Sequence, residues 1–283
     1  MKISVSSLSW IVLRALIVCA PAAASGATRQ VPADFPTIQA AIDAAADGDT
    51  VLVAPGIYPE TISFLGKAIA LVSSGGAEVT TIDGGGNDVV VRFVAGEGPD
   101  SLLEGFTVTG GFNPAFDGDG GGIVCIGSSP AIEANIITAN QTYWRGAGIF
   151  SDGGSPAITG NQIAGNSFVC IIADAPCGLG GGIYASGGQP VIARNIIAGN
   201  SAPDSGGAIY LAGATTALVE DNEIRANLGG TGGGVSCSGL SLVTLRNNLL
   251  VANEAVGFST LAGPVDGFGG GLLCMGGSTV TMT

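Results

Sequence analysis

Residues 180–200 read Gly180-Gly-Gly-Ile-Tyr-Ala-Ser-Gly-Gly-Gln-Pro-Val-Ile-Ala-Arg-Asn195-Ile-Ile-Ala-Gly-Asn200, and close copies of this unit recur through the second half of the chain. Each full copy has a glycine-rich start, two apolar stretches, an Asn, a third apolar stretch and a second Asn five residues after the first. A fixed period of this kind indicates one supersecondary unit stacked many times, which is a solenoid. The anchor position at the start of each copy is Gly122, Gly148, Gly182, Ala208, Gly234 or Gly271.

The spacings between these anchors are 26, 34, 26, 26 and 37 residues, so the longer intervals carry insertions just before an anchor. Stacking the copies predicts three short strands per coil, with alternate residues pointing inward. One inner row begins at Ile123, a second at Ile132 and a third at Ile137. We expect each Asn to occupy a tight bend in left-handed conformation and to hydrogen-bond to the same Asn one coil away.

Composition supports a turn-rich β protein with a large apolar core. The 283 residues include 49 Gly without a strict three-residue period, which excludes collagen. Because 46% of the residues are hydrophobic and 11% charged, disorder is also excluded. The net charge of −13 argues against nucleic acid and anionic membranes as partners, and against anionic polysaccharides unless divalent metal bridges the two. The chain has no His, which excludes imidazole chemistry.

The N-terminal part differs from the repeats. Residues 1–24 have a basic start, an apolar stretch and small residues, which is typical of a secretory signal peptide; no later run is long enough for a transmembrane helix. Residues 25–60 predict a short capping helix, with Asp34 as its N-cap and Pro36 in its first turn, followed by a strand at residues 50–53. Residues 61–120 predict irregular opening coils and residues 121–283 regular ones. The last coil is incomplete, so we expect the natural product to continue.

The stretch VPADFPTIQAAIDAAADGDTVLVAPGIY (residues 31–58), the TTIDGGG at residues 80–86 and the glycine and Asn repeats resemble bacterial right-handed parallel β-helix proteins of the pectin-lyase-like superfamily. Residues 206–209 and 224–227 are also similar to the repeats of polymorphic outer-membrane adhesins. The resemblance implies an all-β, right-handed parallel β-helix of three-strand coils, secreted or at the cell surface. It also implies a substrate cleft over the strand that follows each anchor. It does not define an activity, because the superfamily includes lyases, hydrolases, epimerases and adhesins.

Catalysis is not favoured by the residues that would line such a cleft. Of twelve outward positions on this strand, only Asp152 is ionisable. Elimination on a uronic polysaccharide needs a base and acidic calcium ligands, and hydrolysis needs paired carboxylates. A polysaccharide lyase is the enzymatic alternative, with Arg145 as its candidate catalytic residue. Asp117, Asp119 and Asp152 are candidate Ca²⁺ ligands, although turns are rich in Asp for a simpler reason.

Three outward aromatic residues on successive coils, Phe150, Tyr184 and Tyr210, predict a binding stripe on which sugar rings stack, with Asp152 beside it. The alternative is an aromatic stack that stiffens the sheet. Cys170 and Cys177 are close enough in sequence to close a small disulfide loop. The sequence therefore predicts a non-catalytic module that recognises an extracellular polysaccharide or cell-surface glycan, or a scaffold, with an adhesin passenger domain as a further alternative.

Overall fold

The computed structural model describes residues 26–114, 118–170, 178–260 and 263–283. Parallel strands of successive coils stack into three long sheets of ten, eight and eight strands, which enclose one apolar core. Within each long sheet, a strand pairs with the equivalent strand of the coil before it and the coil after it. This confirms the predicted right-handed parallel β-helix with its single short helix.

The anchor sheet contains the strands that follow the anchor positions; the second and third sheets follow in chain order around each coil. The anchor sheet comprises Ile62–Ser63, Val91–Phe93, Ile123–Ile126, Ile149–Asp152, Ile183–Ser186, Ile209–Ala212, Val235–Cys237 and Leu272–Cys274. The second sheet comprises Thr28–Val31, Thr50–Val53, Ala70–Ser73, Leu102–Glu104, Ala131–Glu133, Ala157–Thr159, Val191–Ala193, Thr216–Glu220, Leu242–Arg246 and Thr279–Met282. The third sheet comprises Gly56–Tyr58, Thr80–Asp83, Thr107–Thr109, Ile136–Thr138, Gln162–Ala164, Ile196–Ala198, Glu223–Arg225 and Leu249–Val251.

A short fourth strand follows the second Asn in the regular coils, where three strands were predicted. This strand pairs in parallel with the equivalent strand of a neighbouring coil, because the backbone after the Asn bend still runs in the same direction in successive coils. These strands are Gln141–Thr142, Ser167–Phe168, Ser201–Ser205, Leu228–Thr231 and Glu254–Ala255. The longest interval also contains an antiparallel hairpin, Phe258–Thr260 with Gly263–Val265, at the predicted insertion point before an anchor.

The predicted helix is present at Ile38–Ala44, and a strand that the sequence did not indicate, Thr28–Val31, precedes it. Its apolar face packs on the first coil, so that Ile38 and Ile42 are completely buried. Among the described residues, no helix is long and apolar enough to cross a membrane.

The N-cap of this helix differs from the prediction. The hydroxyl of Thr37 accepts a hydrogen bond from the Ala40 N–H at 3.1 Å, so Thr37, and not Asp34, caps the helix. Asp34 instead accepts from the Gln30 N–H in the preceding turn, and Pro36 lies before the cap. A cap must place its side-chain oxygen beside the first free N–H groups, and residue 34 lies too far upstream to do so.

The inner rows are confirmed. Ile123, Ile132 and Ile137 begin three columns of buried aliphatic side chains that continue to Val235, Leu245 and Ile224. Leu272 and Leu250, the last members of the first and third columns, are only partly buried. In the opening coils, large aromatic side chains such as Phe64 and Phe93 fill the same space, with ring centroids 4.2 Å apart. The core therefore runs without interruption from the helix into the repeats.

Two Asn ladders line the core on either side of the third sheet. The first consists of Asn135, Asn161, Asn195, Asn222 and Asn248, and the second of Asn140, Asn166, Asn200, Asn227 and Asn253. In each rung the Nδ2 group donates to the Oδ1 of the next coil's Asn at 2.9–3.1 Å, and the same Oδ1 also accepts from the backbone N–H. The predicted hydrogen bonding between coils is confirmed.

The predicted left-handed conformation of the Asn residues is wrong. The residue before each Asn carries the positive φ, because the Asn itself must aim both its side chain and its N–H at the next coil. All ten preceding positions share this feature: Ala134, Ala139, Gly160, Gly165, Arg194, Gly199, Asp221, Ala226, Asn247 and Ala252, with φ between 52° and 66°. Seven of these ten are not glycine and carry the strain of that conformation.

Candidate functional site

The three outward aromatic residues lie in one column, but they do not form an open stripe. Phe150, Tyr184 and Tyr210 are directly paired in register, with successive ring centroids 5.4 and 5.7 Å apart and nearly parallel planes. Only 3%, 4% and 8% of their surfaces are exposed. The expected sugar-stacking stripe is therefore wrong in this respect, because the ring faces are already occupied by one another.

The backbone that leads into each anchor covers these rings. Gly146 and Gly206, two residues before their anchors, cross directly over the outward side chain of the following strand. A Cβ atom at either position would lie 2.8 Å from the Cβ of Phe150 or Tyr210, respectively. Glycine with positive φ permits this close approach, which seals the rings into a satellite cluster with Val89 and Val124. We call Val89, Val124, Phe150, Tyr184 and Tyr210 the outer cluster.

Arg145 closes one edge of the outer cluster. Its guanidinium carbon lies 5.3 and 5.2 Å from the ring centroids of Phe150 and Tyr184, within cation–π range. Its Nε and Nη2 groups donate to the two carboxylate oxygens of Asp119 at 2.8 and 2.5 Å, and Nη1 donates to the Tyr184 hydroxyl at 3.4 Å. The hydrogen bonds with Asp119 raise the pKa of Arg145 above its usual range, against the opposing effect of burial.

This geometry bears on the candidate catalytic role of Arg145. A base for elimination must lose its own proton before it removes one from the substrate. The bidentate pair with Asp119 stabilises the protonated guanidinium, so Arg145 is held in the form that cannot act as a base. Its contacts are those of an ion pair that covers aromatic rings.

A groove opens on the outer face of the anchor sheet, next to the outer cluster. It encloses about 450 Å³, and its floor is formed by Val94, Val124 and Ile126. Val94, which directly follows the strand Val91–Phe93, and Ile126, at the end of the next strand, are 42% and 48% exposed, so the groove presents a small apolar surface to solvent. The polar groups of Arg92, Asn113 and Asp119 lie around the floor, and Val89, Gly118 and Phe150 complete the lining.

A second ion pair stands at the rim of this groove. Arg92 donates through Nη1 to Asp88 at 3.1 Å and also through Nη2 to the other carboxylate oxygen. Burial would raise the pKa of Asp88, but hydrogen bonds from Arg92 and from the Val89 N–H outweigh it and hold the pKa below its usual value. The groove is thus flanked by two matched Arg–Asp pairs, Arg92–Asp88 and Arg145–Asp119.

The candidate calcium ligands are not assembled in the part of the chain that the structure describes. Both carboxylate oxygens of Asp119 accept from Arg145, and Asp152 accepts from the Ser186 hydroxyl at 2.5 Å at the far end of its strand. Asp117 lies outside the described residues. Among the described residues, no group of three or more Cys, Asp or Glu side chains is placed to hold a metal ion. The calcium site that includes Asp117 stays a prediction.

The cysteines divide into bonded and free. Cys170 is disulfide-bonded, whereas its predicted partner Cys177 lies outside the described residues, so that pairing stays a prediction. Cys125 and Cys237 are free and fully buried in the inner row, and Cys274 is free and exposed.

Two residues were missed by the sequence reasoning: Arg92, which lines the groove, and Trp144, which precedes an anchor. Arg92 pairs in register with Val124, and therefore belongs to the same outward row one coil earlier. Extending that row back into residues 89–93, where Val91 and Phe93 point inward, would have found it. Trp144, which is 37% exposed, lies in the segment before an anchor and not on a strand, so the alternation along the strands gives no signal for it.

Comparison with known families agrees with the architecture. A family described as a right-handed beta helix region matches residues 170–283. No curated protein and no solved structure gave a match. The matched region covers less than half of the chain, and together with the stacked parallel strands it supports one fold, a right-handed parallel β-helix of repeated coils.

Proposed function

We propose that this protein is a non-catalytic module that binds an extracellular glycan in the groove on the outer face of the anchor sheet. The observation that carries the proposal is the composition of the groove, in which an exposed aliphatic floor is surrounded by planar polar side chains. A sugar ring has apolar C–H faces and a rim of hydroxyl groups that both donate and accept. Val94 and Ile126 match the first feature, and Arg92, Asn113 and Asp119 match the second.

The position of the groove also suits a polymer. It lies across three successive strands, Val91–Phe93, Ile123–Ile126 and Ile149–Asp152, whose neighbouring coils are about 4.8 Å apart. The pre-anchor segments cover the outward rings, but the second outward position of each strand, at Ile126, Asp152 and Ser186, reaches the surface along the stack. A chain of several sugar units therefore has room to run parallel to the solenoid axis.

The ionisable groups support binding more than catalysis. A glycosidase needs one carboxyl group with a raised pKa as the general acid and a second carboxylate opposite it. Two of the described carboxylates beside the groove, Asp88 and Asp119, are each paired with an arginine, and the pKa of Asp88 is lowered. Arg145 is held protonated and does not fit the base of a lyase.

We place this module in the secreted or cell-surface compartment on the strength of the signal-like residues 1–24. An oxidising compartment is also consistent with the disulfide at Cys170. The resemblance to bacterial β-helix proteins and to outer-membrane adhesin repeats supports the same location. This resemblance is compatible with an adhesin passenger domain as well as with a secreted glycan-binding module, and the groove would bind the glycan in either case.

The test is retention of the secreted protein in native gels that contain soluble polysaccharides. Ile126→Glu places a charge on the groove floor without entering the core, and we expect it to reduce retention by at least tenfold. Ile196→Glu is the matched control, because Ile196 is 40% exposed on a strand of the third sheet, away from the groove. Equal retention of the two variants would show that the glycan does not bind in the groove. Absence of retention of the unaltered protein by every polysaccharide would refute glycan binding.

A further inference from the structure

The groove is electrically balanced, and this restricts the class of glycan that it suits. Its two arginines, Arg92 and Arg145, are each neutralised by a carboxylate, Asp88 and Asp119. Asp152 adds a further negative charge nearby, because it is exposed and pairs in register with Ile126 of the floor. An anionic ligand would therefore meet no excess of positive charge at this site.

The same balance extends to the rest of the described chain. Seven of the nine Lys and Arg residues follow residue 25. Five form ion pairs with carboxylates, namely Arg29, Arg92, Arg145, Arg225 and Arg246. The ammonium group of Lys67 donates to three carbonyls at the end of the helix, those of Ile42, Asp43 and Ala45, at 2.7–2.8 Å.

Arg194 is the remaining cation, and it forms no ion pair with any of the described residues. It lies in a different surface depression of about 290 Å³, at the border of the second and third sheets, and Glu78 lines that depression with it. Arg194 is therefore remote from the groove and faces a carboxylate of its own. The described surface offers no cationic patch to which a polyanion would bind.

Divalent metal is the other route by which an acidic protein binds an acidic polysaccharide. That route needs carboxylates grouped around one ion, with six to eight oxygens in its shell. In the described ranges no such group of three or more is present, and Asp119 is committed to Arg145. The described lining of the groove thus provides no assembled carboxylate site that would bridge a metal ion to a uronate.

We infer that the groove takes an uncharged polysaccharide and excludes uronate-containing and sulfated ones. This inference rests on the proposed function and names its ligand class. The hydroxyl groups of a neutral sugar accept from the guanidinium N–H groups that point away from each ion pair, and they donate to the carboxylate oxygens. Neither charge has to be separated from its partner, so binding does not oppose the electrostatics of the pairs.

The experiment compares the secreted protein in native gels that contain neutral or anionic polysaccharides, at low and high salt, with and without calcium. Hydroxyethylcellulose, galactomannan and dextran are the neutral probes, and polygalacturonate and alginate the anionic ones. We expect retention by at least one neutral probe. That retention should change by less than about twofold with salt, because no counterions are released. No retention by the anionic probes is expected under any condition.

A gain-of-binding variant makes the test sharper. Asp88→Asn keeps the size of the side chain but leaves Arg92 without its counter-charge, and we expect new retention by polygalacturonate that disappears at high salt. Glu223→Gln is the matched control, because it changes the net charge equally and releases Arg225 on the third sheet, away from the groove. The Glu223→Gln control should gain no groove-dependent retention by polygalacturonate, which means none that adding Ile126→Glu abolishes.

The outcomes separate this inference from the proposed function. Retention of the unaltered protein by an anionic probe, with or without calcium, and its loss in Ile126→Glu would overturn the neutral ligand while supporting the groove. Neutral retention that is insensitive to Ile126→Glu would overturn the groove itself. Failure of all probes would overturn both.

Discussion

Replacing Asn166 with alanine removes one rung of the second Asn ladder from the middle of the stack. Asn166 is completely buried. Its Nδ2 group donates to the Ile137 carbonyl at 2.9 Å and to Asn200 Oδ1 at 3.0 Å. Its Oδ1 accepts from the backbone N–H and from Nδ2 of Asn140, both at 3.1 Å. The substitution therefore removes four hydrogen bonds from a dry environment.

The magnitude follows from what each partner retains. The Asn140 N–H loses its acceptor, and an orphaned buried donor costs about 2 kcal/mol. Asn140 Nδ2 keeps the Val108 carbonyl, and Asn200 Oδ1 keeps the Asn166 N–H, so these losses are smaller. With roughly 0.5–1 kcal/mol for each of the three remaining bonds, the expected loss in the free energy of unfolding is about 4 kcal/mol.

Urea unfolding followed by circular dichroism measures this loss. The control is Asn87→Ala, because Asn87 is exposed and its side chain donates locally to the Gly85 carbonyl, and it should cost less than about 0.5 kcal/mol. Long repeat stacks unfold in more than one step, so hydrogen exchange of the Asn140 amide gives a local readout. A loss below about 1 kcal/mol with the Asn140 amide still protected would refute the view that the ladders stabilise the stack.

Three further predictions concern backbone strain, acid stability and thiol reactivity. Ala226→Gly should stabilise the protein by about 0.5 kcal/mol, since it relieves a left-handed alanine at φ 52°. Ala198→Gly, in an extended strand, should instead destabilise it by up to about 1 kcal/mol. Thermal unfolding measures both, and changes in stability of the same sign would contradict this reasoning. Burial would raise the pKa of Glu97, but hydrogen bonds from backbone N–H groups outweigh that effect and lower the pKa. The ionised Glu97 therefore stabilises the folded state fully above the unfolded pKa of about 4.5, and this stabilisation is lost as the pH falls through the folded pKa. Glu97→Gln should therefore flatten the decline of unfolding free energy between about pH 5 and pH 3, and an unchanged slope would count against it. Iodoacetamide should label exposed Cys274 in the native protein and leave Cys125 unmodified, because burial raises the pKa of that thiol; peptide mapping by mass spectrometry decides.

The apolar rows and the Asn ladders could be predicted because the period brings like residues together whatever the detailed backbone path is. The position of the left-handed residue could not be predicted in this way. It depends on which atoms of the bend must reach the next coil, and alanine at position 226 gives no sign of a positive φ. The helix cap shows the same limit, since Asp34 and Thr37 are both acceptable capping residues and the hydrogen bond to Ala40 decides between them.

The candidate site was predicted less well than the fold. Alternation along a strand shows which side Tyr184 faces, but it does not show what else lies on that side. The covering segment is marked by the glycines two residues before each anchor, such as Gly180 and Gly206, and their role becomes clear only when the backbone is seen to cross the rings. The expectation that the outer face of the anchor sheet carries the site led to the groove, although its floor consists of aliphatic residues such as Ile126.

The Asn ladders also determine how such a protein can change length during evolution. Asn140 joins Asn166 across 26 residues and Asn166 joins Asn200 across 34, yet the amide contacts are equivalent. Recombination that duplicates or excises one whole unit therefore recreates the same amide contact at the new junction. An insertion of any other size interrupts both Asn ladders unless it falls in the segment before an anchor. The intervals of this chain lengthen from 26 to 34 and 37 residues in that segment.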